Sequence, residues 1–421
     1  MTSIAFIILL AIGLPIGFVL IGSTFVFMFA EGNWRLLNSL PQVMFSSLEI
    51  FDLLAIPLFI LLGEILNAGG LTRRLISAAQ SWLSRLPNAL AYVCLTANLM
   101  LASIMGSATA QIAVMSRVMV PSMEADGYSR SFSAALTASA GLLGPVIPPS
   151  MIFIIYGVVA QVSIARMFLG GILPGLLLFV LICAWIAYRS PQRAKAAGEA
   201  VSALARPSRL AATRDALAIL TIPAVIVGGI AWGIFTPTES AAVAIGIAII
   251  ISLCYREIKL AEVPKILSRC ANNTALVLFL IAAAKVFGWV LTFNMVPQNI
   301  ARLIQGMTTD PTIFMLLVFV LLILVGALLD GIAALIILVP ILLPIAVGTY
   351  GVDPIQFGIV ASITLTLGLL TPPVGAGLYV AAAVGNVKLG ELIREIVPFI
   401  VLTMIVILAV IFVPWLTTAL R

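Results

Sequence analysis

The sequence predicts an all-α polytopic membrane protein with inverted repeats, and three observations carry that prediction. Of 421 residues, 62% are hydrophobic and 9% charged, whereas a soluble domain is about a quarter charged. The apolar residues form unbroken runs, not the alternating ten-residue strands of an outer-membrane barrel. Two of the longest runs are interrupted by Pro-Pro pairs in matching positions. At roughly 20 residues per span, the length allows on the order of ten to twelve crossings. Soluble globular, disordered and nucleic-acid-binding classes fit poorly on the same grounds.

The chain has no His. That removes His metal sites, Ser-His-Asp and Cys-His catalysis, and His proton relays. Cys94, Cys183, Cys254 and Cys270 are far apart, in or beside apolar stretches, without metal or CxxC spacing. They are expected to be small core residues. No enzyme activity and no organic cofactor is expected.

In chain order the candidate spans are Ser3–Ala30, Phe51–Leu66, Ser131–Ala160, Phe168–Tyr188, Ala216–Phe235, Thr238–Tyr255, Thr274–Phe293, Pro354–Val384 and Val397–Leu416. The first lacks a basic leader and a small-residue cleavage site, so it is expected to be a membrane segment, although Gly13-Leu14-Pro15 interrupts it. Leu71–Leu86 interleaves polar and basic residues with Leu, the pattern of an amphipathic helix along the interface or of a solvated loop. Leu90–Pro121 and Thr312–Val347 are apolar but broken.

The net charge of +6 arises from 22 Lys+Arg against 16 Asp+Glu. Tyr188–Asp215 carries Arg189, Arg193, Lys195, Arg206, Arg209 and Arg214. Arg256, Lys259, Lys265 and Arg269 form a second cluster, and Arg73, Arg74 and Arg85 a third. The positive-inside rule puts all three on the cytoplasmic side.

A shift of 224 positions superposes Gly127 on Gly351, Gly144 on Gly368, and Pro148-Pro149 on Pro372-Pro373. Ala110, Ile112 and Leu143 fall on Ala334, Ile336 and Leu367. Four spans separate the two Pro-broken segments, so the repeat runs in opposite directions. Inverted repeats with broken helices mark secondary transporters, which bind near the bilayer midplane.

The breaks are Gly144–Ser150 and Gly368–Gly377. Proline removes a backbone donor and clashes with the preceding turn, so the helix opens. In lipid such backbone is tolerated only where it lines a protein cavity. The freed carbonyls of Gly144 and Ile147 can then coordinate a cation, and Thr371 adds a hydroxyl to the second break. A plain proline kink filled by neighbours is the alternative. The broken stretches offer two tips: Ser103–Ala110, rich in small and hydroxyl residues, and Gly326–Gly331, which holds Asp330 between charge-free flanks. If both stretches are re-entrant hairpins, Asp330 lies deep in the membrane, where a charge costs roughly 2.5–3.5 kcal/mol and marks function. If instead they are full spans, Asp330-Gly331 is a surface turn. Lys285, mid-span, either offsets a charge near the site or snorkels. Arg117 reads equally as a helix-end residue or a substrate contact.

At these residues the sequence resembles the large membrane subunit (M-type, DctM-like) of a tripartite ATP-independent periplasmic (TRAP) transporter. The resemblance covers essentially the whole chain. It rests on GSATAQIAVMSRVMVPSMEADGYS, SAGLLGPVIPPSMIFIIYG, FTPTESAAVA, and LLDGIAALIILVPILLPIAVGTYGVDPIQFGIV followed by GLLTPPVGAGLYV. It implies a Na+-driven importer of organic acids in the bacterial inner membrane, working as an elevator, with two or more Na+ ions for coupling. It also implies two partners: a small four-helix membrane subunit (Q-type), expected as a separate chain, and a periplasmic substrate-binding protein (P-type). That binding protein delivers a C4-dicarboxylate, sialic acid or another carboxylate.

Carried over residue by residue, the first Na+ site comprises Ser103, Ser107, Gly144, Ile147 and Pro149. The second comprises Gly326, Gly368, Thr371 and Val374. Asp330, Thr109, Pro148, Pro372 and Lys285 border the substrate cavity. Ala108 departs from the hydroxyl pattern expected beside Ser107. The implied divisions are a scaffold span (1–50), a scaffold span with interfacial arm (51–88), transport-core half one (89–162), central scaffold spans (163–271) with the basic loop 189–215, a scaffold span and second arm (272–310), transport-core half two (311–385), and a C-terminal span (386–421). Competing classes are a stand-alone Na+/dicarboxylate symporter of similar fold without a binding protein and, with less support, a channel or a membrane-embedded enzyme.

Overall fold

The computed structural model describes residues 2–83, 86–102, 108–189, 209–372 and 374–420. Ser103, Ser107, Pro373, Arg85, Arg193, Lys195 and Arg206 from the readings above lie outside these residues. The described chain is all-helical, and eight of its helices are long and apolar enough to cross a membrane.

The first expected span is two helices, α1 (Thr2–Ala11) and α2 (Ile16–Ala30). Gly13 between them takes φ of 82°, open to glycine, and Pro15 stands extended before the first turn of α2. A 3-10 turn over Trp34–Ser39 and α3 (Leu40–Ser46) follow, both too short for a hydropathy signal to reveal. Next come α4 (Ala55–Ala68) and α5 (Leu71–Leu83), the latter being the amphipathic helix of the two readings for that segment. The first broken stretch is an arm pair, α6 (Ala89–Ala102) and α7 (Ala108–Ala125). The first Pro-Pro segment is two half-helices, α8 (Arg130–Gly141) and α9 (Met151–Ala160).

Then come α10 (Ile164–Arg189), α11 (Arg209–Ala231), α12 (Pro237–Cys254) and α13 (Val263–Phe293). The FTPTES motif is the start of α12. The Thr236 hydroxyl accepts from the Glu239 N–H, and the Glu239 carboxylate accepts from the Thr236 N–H, a capping box with Pro237 in the first turn. The second half repeats the pattern: α14 (Val296–Gln305), α15 (Pro311–Leu328), α16 (Gly331–Gly348), α17 (Pro354–Gly368), α18 (Ala376–Gly385), α19 (Leu389–Phe412) and the short α20 (Trp415–Thr418). Asp310 caps α15, and the N–H groups of Ile313 and Thr312 hold its carboxyl below the ordinary carboxylate range.

Shifted by 224 positions, α5 through α10 fall on α14 through α19, within three residues at every boundary. The turn glycines Gly127 and Gly351 both have positive φ. Ser129 and Asp353 both cap their helices, and Pro174 and Pro398 both lie inside theirs. Four spanning helices, α10 to α13, separate α9 from the second half. The α15–α16 pair returns to its starting side whether it dips or crosses. The broken helices are therefore antiparallel, and the repeat is inverted.

The basic clusters meet on one side, as orientation by charge requires. Arg74 on α5 bonds Asp215 on α11 at 2.9 Å and Glu257 after α12 at 3.0 Å. Its guanidinium lies 3.8 Å from the Tyr255 ring centroid. Tyr255 donates to Asp215 at 2.8 Å. Burial, then the Asp215 carboxylate, pushes its phenol up. Trp82 Nε1 donates to Thr213 at 2.9 Å, a second tie between α5 and α11.

In lipid, helices gain little from hiding apolar surface, so close packing through small residues holds them together. The central pairs cross between repeats: α9 packs on α16, and α18 on α7. Every residue of α17 from Ile355 to Gly368 is buried. Gly358 lies flat against the buried Tyr156 ring, whose hydroxyl donates to the Pro354 carbonyl. Cys94 and Cys270 are buried as expected, but Cys254 is exposed at the end of α12, so it is not a core residue.

Candidate functional site

Both breaks open where proline and glycine demand. At the first, α8 ends at Gly141 and α9 begins at Met151. The segment between is pinned by the buried Ser150, whose Oγ donates to the Pro145 carbonyl at 2.6 Å. The Pro148–Pro149 peptide is cis. Among the described residues, no hydrogen bond reaches the carbonyls of Gly144 or Ile147. At the second break the chain doubles back. Gly375 N–H donates to the Thr371 carbonyl at 3.1 Å, and Leu378 N–H to the Leu369 carbonyl at 3.1 Å.

The second tip is seated in the second break. A Cβ on Gly368 would stand 2.6 Å from Gly326 Cα and 2.8 Å from the Ala327 nitrogen. A Cβ on Gly326 would stand 2.8 Å from the Leu365 carbonyl oxygen. The two main chains therefore touch, which only glycine at both positions allows. Gly331 lies beside Leu365, just before the second break, and Ile152, just after the first. The tip thus stands level with the mid-points of both broken helices. That position fits a re-entrant hairpin, although each arm is also long and apolar enough to cross a membrane.

Asp330 is exposed at this tip and caps α16, accepting from the Ile332 N–H at 3.0 Å. The α16 N-terminus and the Asp330 carboxylate thus face the same space from the tip. Thr371 is half-buried, and its hydroxyl donates to the Leu367 carbonyl at 3.0 Å, leaving its lone pairs to accept. Pro372 is half-buried and Val374 exposed beside it. At the first break Gly144, Pro148 and Pro149 are buried, and Ile147 and Thr109 half-buried. The structure thus brings Gly326, Gly368, Thr371 and Asp330 into one region, and Gly144, Ile147, Pro148 and Pro149 into another.

Lys285 is elsewhere. Exposed on an otherwise buried stretch of α13, it lines a small, mostly apolar cleft with Ser47, Ile50, Val158, Val159 and Pro340. Pro340 is ten residues along α16 from Asp330, about 15 Å at the helical rise. Arg117 is exposed on α7.

Two residues were missed from sequence. Asn98 on α6 and Gln111 on α7 are both fully buried. Gln111 Nε2 donates to the Asn98 carbonyl at 2.8 Å and to Asn98 Oδ1 at 3.1 Å, tying the two arms. Asn98 Nδ2 donates to the Cys94 carbonyl at 2.8 Å. The available signal was one amide on each arm flanking the first tip. No cluster of three or more His, Cys, Asp or Glu able to hold a metal occurs among the described residues.

Comparison with known proteins gives one consistent picture. Residues 3–416 match the family described as the tripartite ATP-independent periplasmic transporter, DctM component. The chain is 37% identical over 410 residues to the isethionate TRAP transporter permease protein DctMQ of Oleidesulfovibrio alaskensis, with 97% of this chain and 64% of that protein covered. It therefore spans less than two thirds of that relative. It is 34% identical over 402 residues to the C4-dicarboxylate TRAP transporter large permease protein DctM of Pseudomonas aeruginosa, covering 95% and 92%. In three dimensions it is similar to the YdaH transporter of Alcanivorax borkumensis, with a TM-score of 0.70 at 15% identity over 93% of this chain and 90% of that one. At that identity the likeness speaks for the fold alone.

Proposed function

The chain belongs to the DctM component family of tripartite ATP-independent periplasmic transporters, and from that premise we propose that it is the translocating subunit of a Na+-coupled importer of organic acids. The seating of the Gly326 tip in the Gly368 break, within an inverted repeat, is the observation that carries this reading. It supports a reading in which opened backbone, a hydroxyl and a helix N-terminus share one space near the bilayer midplane. Carbonyl and hydroxyl oxygens there suit Na+, and helix N-termini suit the carboxylate of a substrate.

On this reading the first Na+ site draws on Gly144, Ile147 and Pro149, with Ser103 and Ser107 from the tip outside the described residues. The second draws on Gly326, Gly368, Thr371 and Val374. The substrate lies by Asp330, Thr109, Pro148 and Pro372. Lys285, in the cleft between α13 and the hairpin arm α16, meets the substrate only if the core moves. Each Na+ entering down 100 mV supplies about 2.3 kcal/mol.

The cross-repeat packing of α7, α9, α16 and α18 supports a core that moves as one body. α10 and α19 lie against its broken helices and travel with it on this reading, which moves α10 out of the central scaffold (163–271) expected from the sequence. α2, α4, α11, α12 and α13 form the frame, braced on one side by the Arg74 network. That side is the cytoplasmic face of a bacterial inner membrane under the positive-inside rule. The substrate class is a C4-dicarboxylate, sialic acid or another carboxylate. The partners are the small four-helix subunit and a periplasmic binding protein.

Reconstitution in vesicles with both partners tests the proposal. Saturable uptake that vanishes without Na+ or without the binding protein is expected. A conductance indifferent to the Na+ gradient would establish a channel instead. Full uptake by this chain alone would establish a stand-alone symporter.

A further inference from the structure

We propose that the carboxamide oxygen of Gln111 is a ligand of the coupling cation at the first break, an inference that rests on the Na+-coupled reading above. Gln111 is fully buried on α7, near the start of that arm. Its Nε2 donates twice, to the Asn98 carbonyl at 2.8 Å and to Asn98 Oδ1 at 3.1 Å. Those bonds fix which way the amide points, because the opposite assignment would set its oxygen against two acceptors.

Oε1 is thereby turned to the break, 2.5 Å from where a Cβ on Gly144 would stand. It accepts no hydrogen bond among the described residues. A buried acceptor without a donor carries its full desolvation cost unless something positive occupies its lone pairs. The carbonyls of Gly144 and Ile147, in the same opened segment, are also without a hydrogen-bond donor among the described residues. Neutral amide and carbonyl oxygens held beside one opened turn are the donor set that an alkali cation takes.

The second repeat shows that this amide pair is not needed for packing. At the same register, 224 positions on, Leu322 stands for Asn98 and Leu335 for Gln111, both buried. At this register the second hairpin buries leucines and presents no amide oxygen.

The double variant N98L/Q111L copies that apolar pair into the first hairpin and is the decisive test. The purified full-length chain is titrated with NaCl against choline chloride at constant ionic strength, and the thermal unfolding midpoint is read. The double variant is expected to need at least tenfold more Na+ for half-maximal stabilisation, with its Na+-free midpoint equal to or above the wild type. A Na+ titration within twofold of wild type overturns the role of Gln111 while leaving Na+ coupling intact. A wild type that shows no Na+ stabilisation overturns both. Should the double variant fail to fold, Gln111→Met removes the oxygen at similar side-chain length. It is expected to raise the Na+ requirement at least tenfold, and an unchanged requirement overturns the proposal.

Discussion

At the first break a carboxamide stands between hairpin and helix; at the second, Gly326 and Gly368 meet main chain to main chain. The two sites share a register of 224 residues, cap positions and turn glycines, yet close their gaps with different atoms. A side chain can rotate away from a neighbour, whereas a backbone moves only by shifting a helix. Symmetry of the chain path therefore does not entail symmetry of tolerance. The second site is expected to be the less forgiving of the two.

Alanine at the two break glycines tests this most sharply. Gly368→Ala drives a methyl into the backbone of Gly326 and Ala327 and is expected to cost about 3 kcal/mol or more, with loss of most folded protein. Gly144→Ala meets the end of the Gln111 side chain and is expected to cost about 1 kcal/mol. Thermal unfolding of the purified chains measures both, and equal losses would break the comparison.

The next effect is on transport. Thr371→Ala and Asp330→Ala are each expected to reduce Na+-dependent uptake about tenfold, roughly 1.4 kcal/mol, in folded protein. Asp330→Ala also loses the α16 cap. Wild-type uptake in both would remove these residues from the site.

The arms differ as well. Arg74 ties α5 to two carboxylates on other elements, whereas Arg302 on α14 bonds Asn299 of its own helix. Arg74→Ala is expected to lower stability by about 1–2 kcal/mol, less in high salt because the pair is partly exposed. Arg302→Ala is expected to stay within about 0.5 kcal/mol. Unfolding midpoints at two ionic strengths separate them. The smallest contrast is between caps. Asp353 accepts from two N–H groups at 2.8 and 3.0 Å, and Ser129 from one at 3.3 Å. Replacement by Ala is expected to cost about 1 kcal/mol at Asp353 and about half that at Ser129, read by the same unfolding.

Much of this was legible in the sequence because its signals are local. Proline and glycine in apolar runs announce opened helix, and the Gly144–Gly368 register announces the repeat. The amphipathic stretch at Leu71 announces a helix. Contacts across the chain left no such mark. Asn98 and Gln111 each look like one tolerated amide, and only folding shows them paired. Arg74 finds partners 141 and 183 positions away. Lys285 reads as mid-span, but its helix face decides that it opens on the Pro340 cleft. The division of the first segment at Gly13 was visible as an interruption, and the backbone turn there made it two helices.

Main chains in contact have no rotamers to sample. The second tip therefore has a closed position with few intermediate ones, and its seating behaves as a latch. Deuterium exchange across the Gly326–Gly331 tip is therefore expected to rise as one unit when the tip leaves its seat.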